Sequence, residues 1–201
     1  DISELNKYRN KDGRRYDCLI PVSGGRDSHF ITYVILKEYG LNPLLVNFHP
    51  QDTTDIGKKN LENLKKMGVD CIEMTPNPTI SKKLAKFGLV ELGDFQWPQH
   101  IGIFTTPYQI AVAYKIPLIV WAETPSEVGS GPKDDKIYFL DRDYEEKYCS
   151  FFLDKIKPED MVKYNFEKRD LLPYFFPSQK ETDDIGITGI FLGSYLKWDI
   201  F

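Results

Sequence analysis

The feature that most constrains this chain is a pair of glycines between two apolar segments. Residues 17–22 (DCLIPV) form a short apolar run of the kind found in buried strands. Residues 23–25 (SGG) follow, and residues 29–39 then place apolar side chains at helical spacing before Gly40, a residue well suited to end a helix. The sequence therefore predicts a strand, a glycine turn and a helix in immediate succession.

Similar alternation continues along the chain and predicts the fold class. Strands separated by helices imply right-handed crossovers and a parallel sheet. We therefore predict an α/β fold, a doubly wound parallel sheet of about five strands with helices on both faces, in a single domain of residues 1–201. The predicted strands are 17–22, 43–49, 69–74 and 117–122, followed by a late strand or loop-strand at 186–195. The predicted helices are 29–39, 55–67, 80–88, one that begins at Thr106-Pro107 and ends at Lys115, 143–156 and 158–164. Residues 171–177 are predicted to be irregular.

Composition limits the functions open to such a chain. The 201 residues are 41% hydrophobic, enough for a continuous core, and the formal net charge of −4 argues against nucleic acid as the main partner. Cys18, Cys71 and Cys149 stand singly, as expected of a reduced intracellular protein, and no apolar run is long enough for a membrane span or a signal peptide. We expect a cytoplasmic protein. The absence of an initial methionine is compatible with a fragment of a longer product.

Residues 23–28 (SGGRDS) lie where a doubly wound sheet presents ligands, at the carboxyl end of a strand. Two glycines let the backbone approach an anion, and the first turn of the following helix directs N–H groups toward it. Arg26 could contact a phosphate in bidentate fashion, and Asp27 fits an anion site best if Mg²⁺ lies between carboxylate and phosphate. Alternatively, the segment is a tight turn in which Asp27 or Ser28 caps the helix.

This hexapeptide resembles the SGGxDS pyrophosphate loop of the PP-loop ATP pyrophosphatases, with Arg26 at the family's usual lysine position. Members of that superfamily cleave ATP between its α and β phosphates, transferring AMP to a carbonyl or carboxylate oxygen that a nitrogen or sulfur nucleophile then displaces. The resemblance implies ATP and Mg²⁺ as cofactors. It also implies an adenine nucleotide alpha hydrolase-like fold and contacts to pyrophosphate or Mg²⁺ from Ser23, Gly24, Gly25, Asp27 and Ser28.

Two other strand ends fit this resemblance. Asn47 and Phe48 end the second predicted strand, where this fold holds adenine and ribose, although Phe48 could equally be core. Glu123 and Glu127 follow the fourth strand and resemble the superfamily's second acidic segment. Carboxylates there could bind a metal or polarise an attacking amine. We select Asp27 and Glu127 as the metal ligands and Glu123 as the residue that polarises the amine. Alternatively, residues 124–127 only cap the next segment.

The whole chain resembles the N-acetyl sugar amidotransferases of bacterial surface-polysaccharide and flagellin-glycan biosynthesis. The resemblance rests on residues 23–28, 97–104 (WPQHIGIF), 122–127 (AETPSE) and 192–199 (LGSYLKWD). It implies an enzyme that converts the acetamido group of a sugar, expected to be nucleotide-linked, into an acetamidino group, releasing AMP and pyrophosphate. It also implies that a separate glutaminase subunit supplies the ammonia. Asp27, Arg26, Glu123 and His100 are the candidate catalytic residues, with a structural histidine as the alternative for His100.

Two other functions remain open at this point. A tRNA-modifying PP-loop enzyme, a thiolase or a lysidine-type ligase, would share residues 23–28, but thiolation commonly uses a cysteine pair and RNA binding a basic surface, and neither is evident. A non-catalytic ATP-binding regulatory module would not need Asp27, Glu123 and Glu127 around a metal. Release of pyrophosphate in the presence of Mg²⁺ separates an enzyme from such a module.

Overall fold

A computed structural model describes residues 2–9, 13, 15–49, 53–123, 142–144 and 156–196. In this part of the chain five strands form one sheet in the order β3-β2-β1-β4-β5, and every neighbouring pair is parallel. The predicted α/β fold and all five predicted strands are confirmed. The strands are β1 (Cys18–Pro21), β2 (Pro43–Phe48), β3 (Asp70–Met74), β4 (Leu118–Trp121) and β5 (Thr188–Phe191).

Helices connect the strands. None of the described helices is both long and apolar enough to cross a membrane. The α-helices are α1 (Arg26–Tyr33), α2 (Asp55–Lys65), α3 (Pro78–Phe87), α4 (Trp97–Tyr114), α5 (Arg142–Tyr144), α6 (Lys168–Leu171) and α7 (Gln179–Ile185). Wider π-helical turns extend α1 over Val34–Glu38 and α3 over Gly88–Leu92, and 3₁₀ segments cover Ile2–Tyr8, Pro158–Tyr164, Leu172–Tyr174 and Leu192–Ser194.

Helix α4 differs from the prediction. The sequence places a helix start at Thr106-Pro107, because proline favours the first turn. The helix in fact begins at Trp97, with Pro98 in its first turn, and Pro107 lies in its interior. The prediction was wrong because the chain offers two prolines with the same local preference, and burial of Trp97 selects the earlier one.

Other helical predictions have mixed outcomes. Residues 158–164 are helical as predicted, in the 3₁₀ form. Part of the segment predicted as irregular, 171–177, is also a 3₁₀ helix. Most of the helix predicted over 143–156 lies outside the described residues.

The sheet is covered on both faces. Alternate residues of β1 point in opposite directions, so Cys18 and Ile20 pack into one core cluster and Leu19 into another. The first cluster includes Ile31 of α1 and Leu61 of α2, and the second includes residues of α4. Helices α1 and α2 therefore lie on one face of the sheet and α4 on the other, as predicted for a doubly wound fold.

Strand order creates a switch point at the centre of the sheet. From β1 the chain proceeds through β2 to β3 on one side, and it then returns to place β4 and β5 on the other side of β1. In open α/β sheets such a switch leaves a crevice at the carboxyl ends of the two central strands. This crevice lies where β1 continues into residues 23–28 and where β4 continues into Ala122 and Glu123.

Candidate functional site

A cavity of about 380 Å³ opens at the carboxyl edge of the sheet. This volume is within the range of small-molecule sites. Its walls come from the ends of β1, β2 and β4, from the start of α2 and from α4. The lining residues are Pro21, Val22, Ser23, Gly25, Asp27, Ser28, Val46, Asn47, Phe48, His49, Thr53, Gly57, Leu61, Gln99, Ile103, Pro107, Trp121, Ala122 and Glu123.

Gly24 fixes the path of residues 23–28, here called the glycine loop. Its φ of +82° is a conformation that residues with a side chain rarely adopt. A Cβ atom at Gly24 would lie 3.3 Å from the Leu61 nitrogen and 3.4 Å from the Gly57 carbonyl oxygen. Gly24 is therefore buried against α2, and Gly25 is the glycine that lines the cavity.

The start of α1 offers N–H groups to the cavity side of the loop. Gly25 is the N-cap residue, and no side chain caps the helix. The alternative that Asp27 or Ser28 acts as this cap is therefore wrong: Asp27 lies inside the helix, and the Ser28 hydroxyl instead accepts a hydrogen bond from the Ser23 backbone nitrogen at 3.0 Å. An uncapped helix start beside a glycine is suited to an anion such as phosphate.

Arg26 and Asp27 form an exposed ion pair at the rim of the cavity. The Arg26 Nε atom donates to Asp27 Oδ1 at 3.0 Å, and both side chains are more than half exposed. Such a pair adds little to folding stability. Asp27 lines the cavity, whereas Arg26 lies beside it, so the Asp27 carboxylate is the group of this pair that faces a ligand.

The end of β2 supplies two of the residues selected from sequence, in different ways. The Asn47 side chain is buried and donates from Nδ2 to the Val22 carbonyl oxygen at 2.6 Å, which ties β2 to the start of the glycine loop. Phe48 is 7% exposed and packs edge-on against Tyr174, with ring centroids 6.2 Å apart. Phe48 therefore belongs both to the core and to the cavity wall. Asn47 positions the glycine loop through its hydrogen bond to Val22, the residue that precedes the loop.

Helix α4 forms the apolar wall of the cavity. Gln99, Ile103 and Pro107 lie one turn apart along it and all line the cavity. Because proline has no N–H, Pro107 cannot donate to the Ile103 carbonyl oxygen as a regular helical residue would. The wall formed by α4 thus has apolar surface from Ile103 and Pro107 and the side-chain amide of Gln99. The Ile103 carbonyl oxygen lacks its usual helical donor.

Carboxylates that could hold Mg²⁺ are only partly within the described residues. Asp27 and Glu123 both line the cavity, but Glu127 lies outside the described residues. No group of three or more His, Cys, Asp and Glu side chains is close enough to hold a metal within the described part. Two carboxylates fit Mg²⁺ if phosphate oxygens and water complete the octahedron, as is usual for this ion.

Two of the three histidines, His49 and His100, differ in their position relative to the cavity. His100 lies beside Asp94, with Nδ1 3.7 Å from Asp94 Oδ2, and it is not among the cavity-lining residues. His49, which follows β2 directly, lines the cavity. Sequence reasoning placed His49 at the end of the second predicted strand but selected only Asn47 and Phe48 there as site residues. The role of His100 stays a prediction.

The described cysteines are not activated thiols. Burial raises the pKa of the Cys18 thiol well above its usual range, and it raises that of Cys71 to about 11. A nucleophilic thiol needs the opposite shift. Cys149 lies outside the described residues.

The fold is similar to that of solved structures, although no sequence comparison gives a match. No protein-family model matches the chain, and no curated protein sequence matches it. Among solved structures, an NH3-dependent NAD synthetase from Campylobacter jejuni is similar over 99% of this chain and 95% of that chain, with 9% identity and a TM-score of 0.50. The chain shares the α/β fold of this synthetase.

Two other solved structures are similar at lower scores. NMN synthetase from Francisella tularensis matches over 92% of this chain and 78% of that chain, with 13% identity and a TM-score of 0.48. The U34-tRNA thiolase NcsA from Methanococcus maripaludis matches over 92% and 69%, with 12% identity and a TM-score of 0.43.

Alanine substitutions at Gly24 and Gly25 should separate the contribution of the glycine loop to folding stability from its contribution to ligand binding. Gly24→Ala should lower the free energy of unfolding by about 1–2 kcal/mol, because alanine is strained at positive φ and meets α2. Gly25 has an ordinary φ of −71°, so Gly25→Ala should unfold like the wild type.

Gly25→Ala should nevertheless weaken binding of the ATP expected from the sequence, since the added Cβ would lie 3.3 Å from the hydroxyl of Ser23, another cavity-lining residue. Urea unfolding and equilibrium dialysis with ATP measure the two effects. Equal loss of stability in both variants would contradict the assignment of folding stability to Gly24 and of ligand binding to Gly25.

Proposed function

We propose that this chain is an ATP-dependent amidotransferase that acts on the acetamido group of an N-acetylated sugar. The observation that carries the proposal is the uncapped start of α1 beside Gly25, which lines a cavity at the switch point of a PP-loop fold. An anion-binding helix start at that position suits the pyrophosphate of ATP.

The other walls support a neutral amide as the second substrate. Ile103 and Pro107 offer apolar surface suited to a methyl group, and the Gln99 side chain can both donate to and accept from an amide. Transfer of AMP to the amide oxygen makes that oxygen a good leaving group, so ammonia can add to the carbon and expel AMP to leave an amidine. The chain has chiefly to align the two substrates, and no covalent protein intermediate is needed.

Residues of the glycine loop and of the strand ends have defined roles in this reaction. The N–H groups at the start of α1 and the Ser23 and Ser28 hydroxyls bind phosphate oxygens, while Asn47 holds the loop in place. Asp27 and Glu123, the two carboxylates among the described lining residues, would hold Mg²⁺. When bound, Mg²⁺ supplies charge neutralisation for the departing pyrophosphate.

Ammonia would come from a separate glutaminase subunit. A built-in glutaminase needs an activated cysteine, and burial raises the pKa of both described thiols. We therefore expect ammonium, but not glutamine, to support turnover by this chain alone.

A panel of acceptors tests the proposal. The chain is incubated with ATP, Mg²⁺ and either ammonium or glutamine, together with UDP- and CMP-linked N-acetyl sugars or, in a parallel arm, bulk tRNA. The expected result is AMP, and a sugar product lighter by the difference between O and NH, only with ammonium and an N-acetyl sugar. Modified tRNA with unmodified sugars would favour the thiolase or ligase alternative, and glutamine hydrolysis by the purified chain would refute the separate subunit.

A further inference from the structure

A second cavity, here called the α3 groove, lies apart from the candidate site. It has a volume of about 420 Å³ and shares no lining residue with the cavity at the carboxyl edge of the sheet. One wall comes from α3 and its π-helical extension. The other comes from residues 164–170, which run from the end of the 3₁₀ helix Pro158–Tyr164 into α6. The proposed ATP site therefore does not account for this cavity.

Aromatic contacts hold the two walls of the α3 groove together. The ring centroid of Phe87 on α3 lies 4.7 Å from that of Tyr164 and 6.1 Å from that of Phe166. Apolar side chains that line the groove nevertheless remain in contact with solvent, since Val90 is 67% exposed and Tyr164 is 46% exposed. Exposed apolar side chains gathered at a cavity are typical of a surface that binds a partner.

The walls of the α3 groove carry opposite charges. Lys83 and Lys86, here called the basic pair, lie three residues apart on α3, a spacing that puts them on one face of the helix. Glu167 and Asp170, the acidic pair, have the same spacing on the other wall. Both lysines are exposed, and neither forms an ion pair within the described part of the chain. The acidic pair contacts the exposed Arg169, and such surface pairs contribute little.

A second copy of the same chain is the partner whose charges match both walls. In an interface with two-fold symmetry, a contact between residue i of one copy and residue j of the other occurs twice. The basic pair of each copy can then lie opposite the acidic pair of the other. A nucleic acid or an anionic membrane would match the basic pair, but the acidic pair and Glu91, which also lines the groove, would repel it.

We propose that the α3 groove is an interface between two copies of this chain related by a two-fold axis, in which the basic pair of each copy faces the acidic pair of the other. The inference goes beyond the proposed function and does not depend on it. Opposite charges across such an interface speed association and fix how the copies are aligned. Removal of Val90 and Tyr164 from water supplies the apolar part of the binding free energy.

Two charge-reversed variants test the interface by sedimentation equilibrium. Lys83→Glu/Lys86→Glu makes both pairs negative, and Glu167→Lys/Asp170→Lys makes both pairs positive. Each variant alone should have a dimer dissociation constant at least about tenfold higher than the wild type, because like charges then face each other. An equimolar mixture of the two variants should form dimers again, because every pair then meets a pair of opposite charge.

The matched control is Lys37→Glu/Lys59→Glu. Lys37 and Lys59 are exposed, lie on the extension of α1 and on α2, and do not line the groove. This variant changes the net charge as much as Lys83→Glu/Lys86→Glu does, and it should dimerise like the wild type. Circular dichroism checks that each variant is folded. A monomeric wild type, an equal loss in the control, or no recovery in the mixture of folded variants would overturn the inference.

A cross-link formed in the wild type tests the same contacts without a substitution. A carbodiimide joins a lysine amine directly to a carboxylate, and mixing ordinary with heavy-nitrogen-labelled chain lets mass spectrometry recognise links between copies. The expected links carry both labels and join Lys83 or Lys86 to Glu167 or Asp170. Links that carry a single label only would overturn the inference. A monomeric wild type that sediments with phosphatidylserine vesicles through its basic pair would overturn it in favour of a lipid partner.

Discussion

Asp27→Ala should abolish AMP formation, a loss of about a hundredfold or more, and leave the fold intact. The Asp27 carboxylate lines the cavity beside the uncapped start of α1, where it would hold Mg²⁺ against the phosphates. Removing a group that stabilises developing charge in such a site costs about 10²–10³ in rate. Among the described residues Asp27 pairs with the exposed Arg26, so stability should change little. Chromatography of AMP measures the rate, and circular dichroism checks the fold.

The matched control for this variant is Asp184→Ala. Asp184 is an exposed carboxylate on α7 that accepts from Lys180 at 2.6 Å, and α7 contributes no residue to the cavity. This variant should form AMP at the wild-type rate. Unchanged AMP formation in Asp27→Ala would remove the proposed mechanism.

Gly102→Ala should destabilise the protein by about 1–3 kcal/mol, the usual effect of overpacking a core. A Cβ atom at Gly102 would lie 2.2 Å from Phe48 Cζ and within 2.5 Å of two other ring atoms. The ring cannot withdraw freely, because it packs against Tyr174. Since Phe48 also lines the cavity, the variant should bind ATP more weakly. Urea unfolding and equilibrium dialysis measure the two effects.

A smaller side chain at position 48 should relieve this clash. In a double-mutant cycle with Phe48→Leu, the two substitutions together should cost less than the sum of the two alone. Strictly additive losses would show that the contact between Gly102 and Phe48 is not the cause.

The sheet was predictable because its strands are short and covered on both faces. A buried parallel strand appears in a sequence as a continuous apolar run, and residues 17–22, 43–49 and 117–122 are such runs. The glycine loop was predictable for the same reason, since it lies between one of these runs and a helical pattern. Local sequence thus contains most of what positions the loop.

Helix boundaries near proline were not predictable from local preference alone. Pro98 and Pro107 have the same intrinsic preference for a first turn, and only tertiary packing of Trp97 distinguishes them. Helix α7, by contrast, had a local signal that was missed. Ser178 and Glu181 form a reciprocal capping box at its start, and Gly186 ends it in the left-handed conformation.

Contacts between distant elements were the part of the site that sequence could not supply. The approach of Glu73 to His49 depends on the register of β3 against β2, in which Asn47 pairs with Glu73. The need for glycine at position 102 depends on the ring of Phe48, which belongs to another element. Neither Glu73 nor Gly102 lies in a distinctive local sequence pattern.

In the proposed function the glycine loop holds the pyrophosphate of ATP, so that cleavage leaves AMP. Phosphorus NMR of the products formed from ATP with Mg²⁺, ammonium and N-acetyl sugar acceptors tests this arrangement. AMP and pyrophosphate should form in equal amounts. Formation of ADP and inorganic phosphate instead would rule out the proposed cleavage between the α and β phosphates.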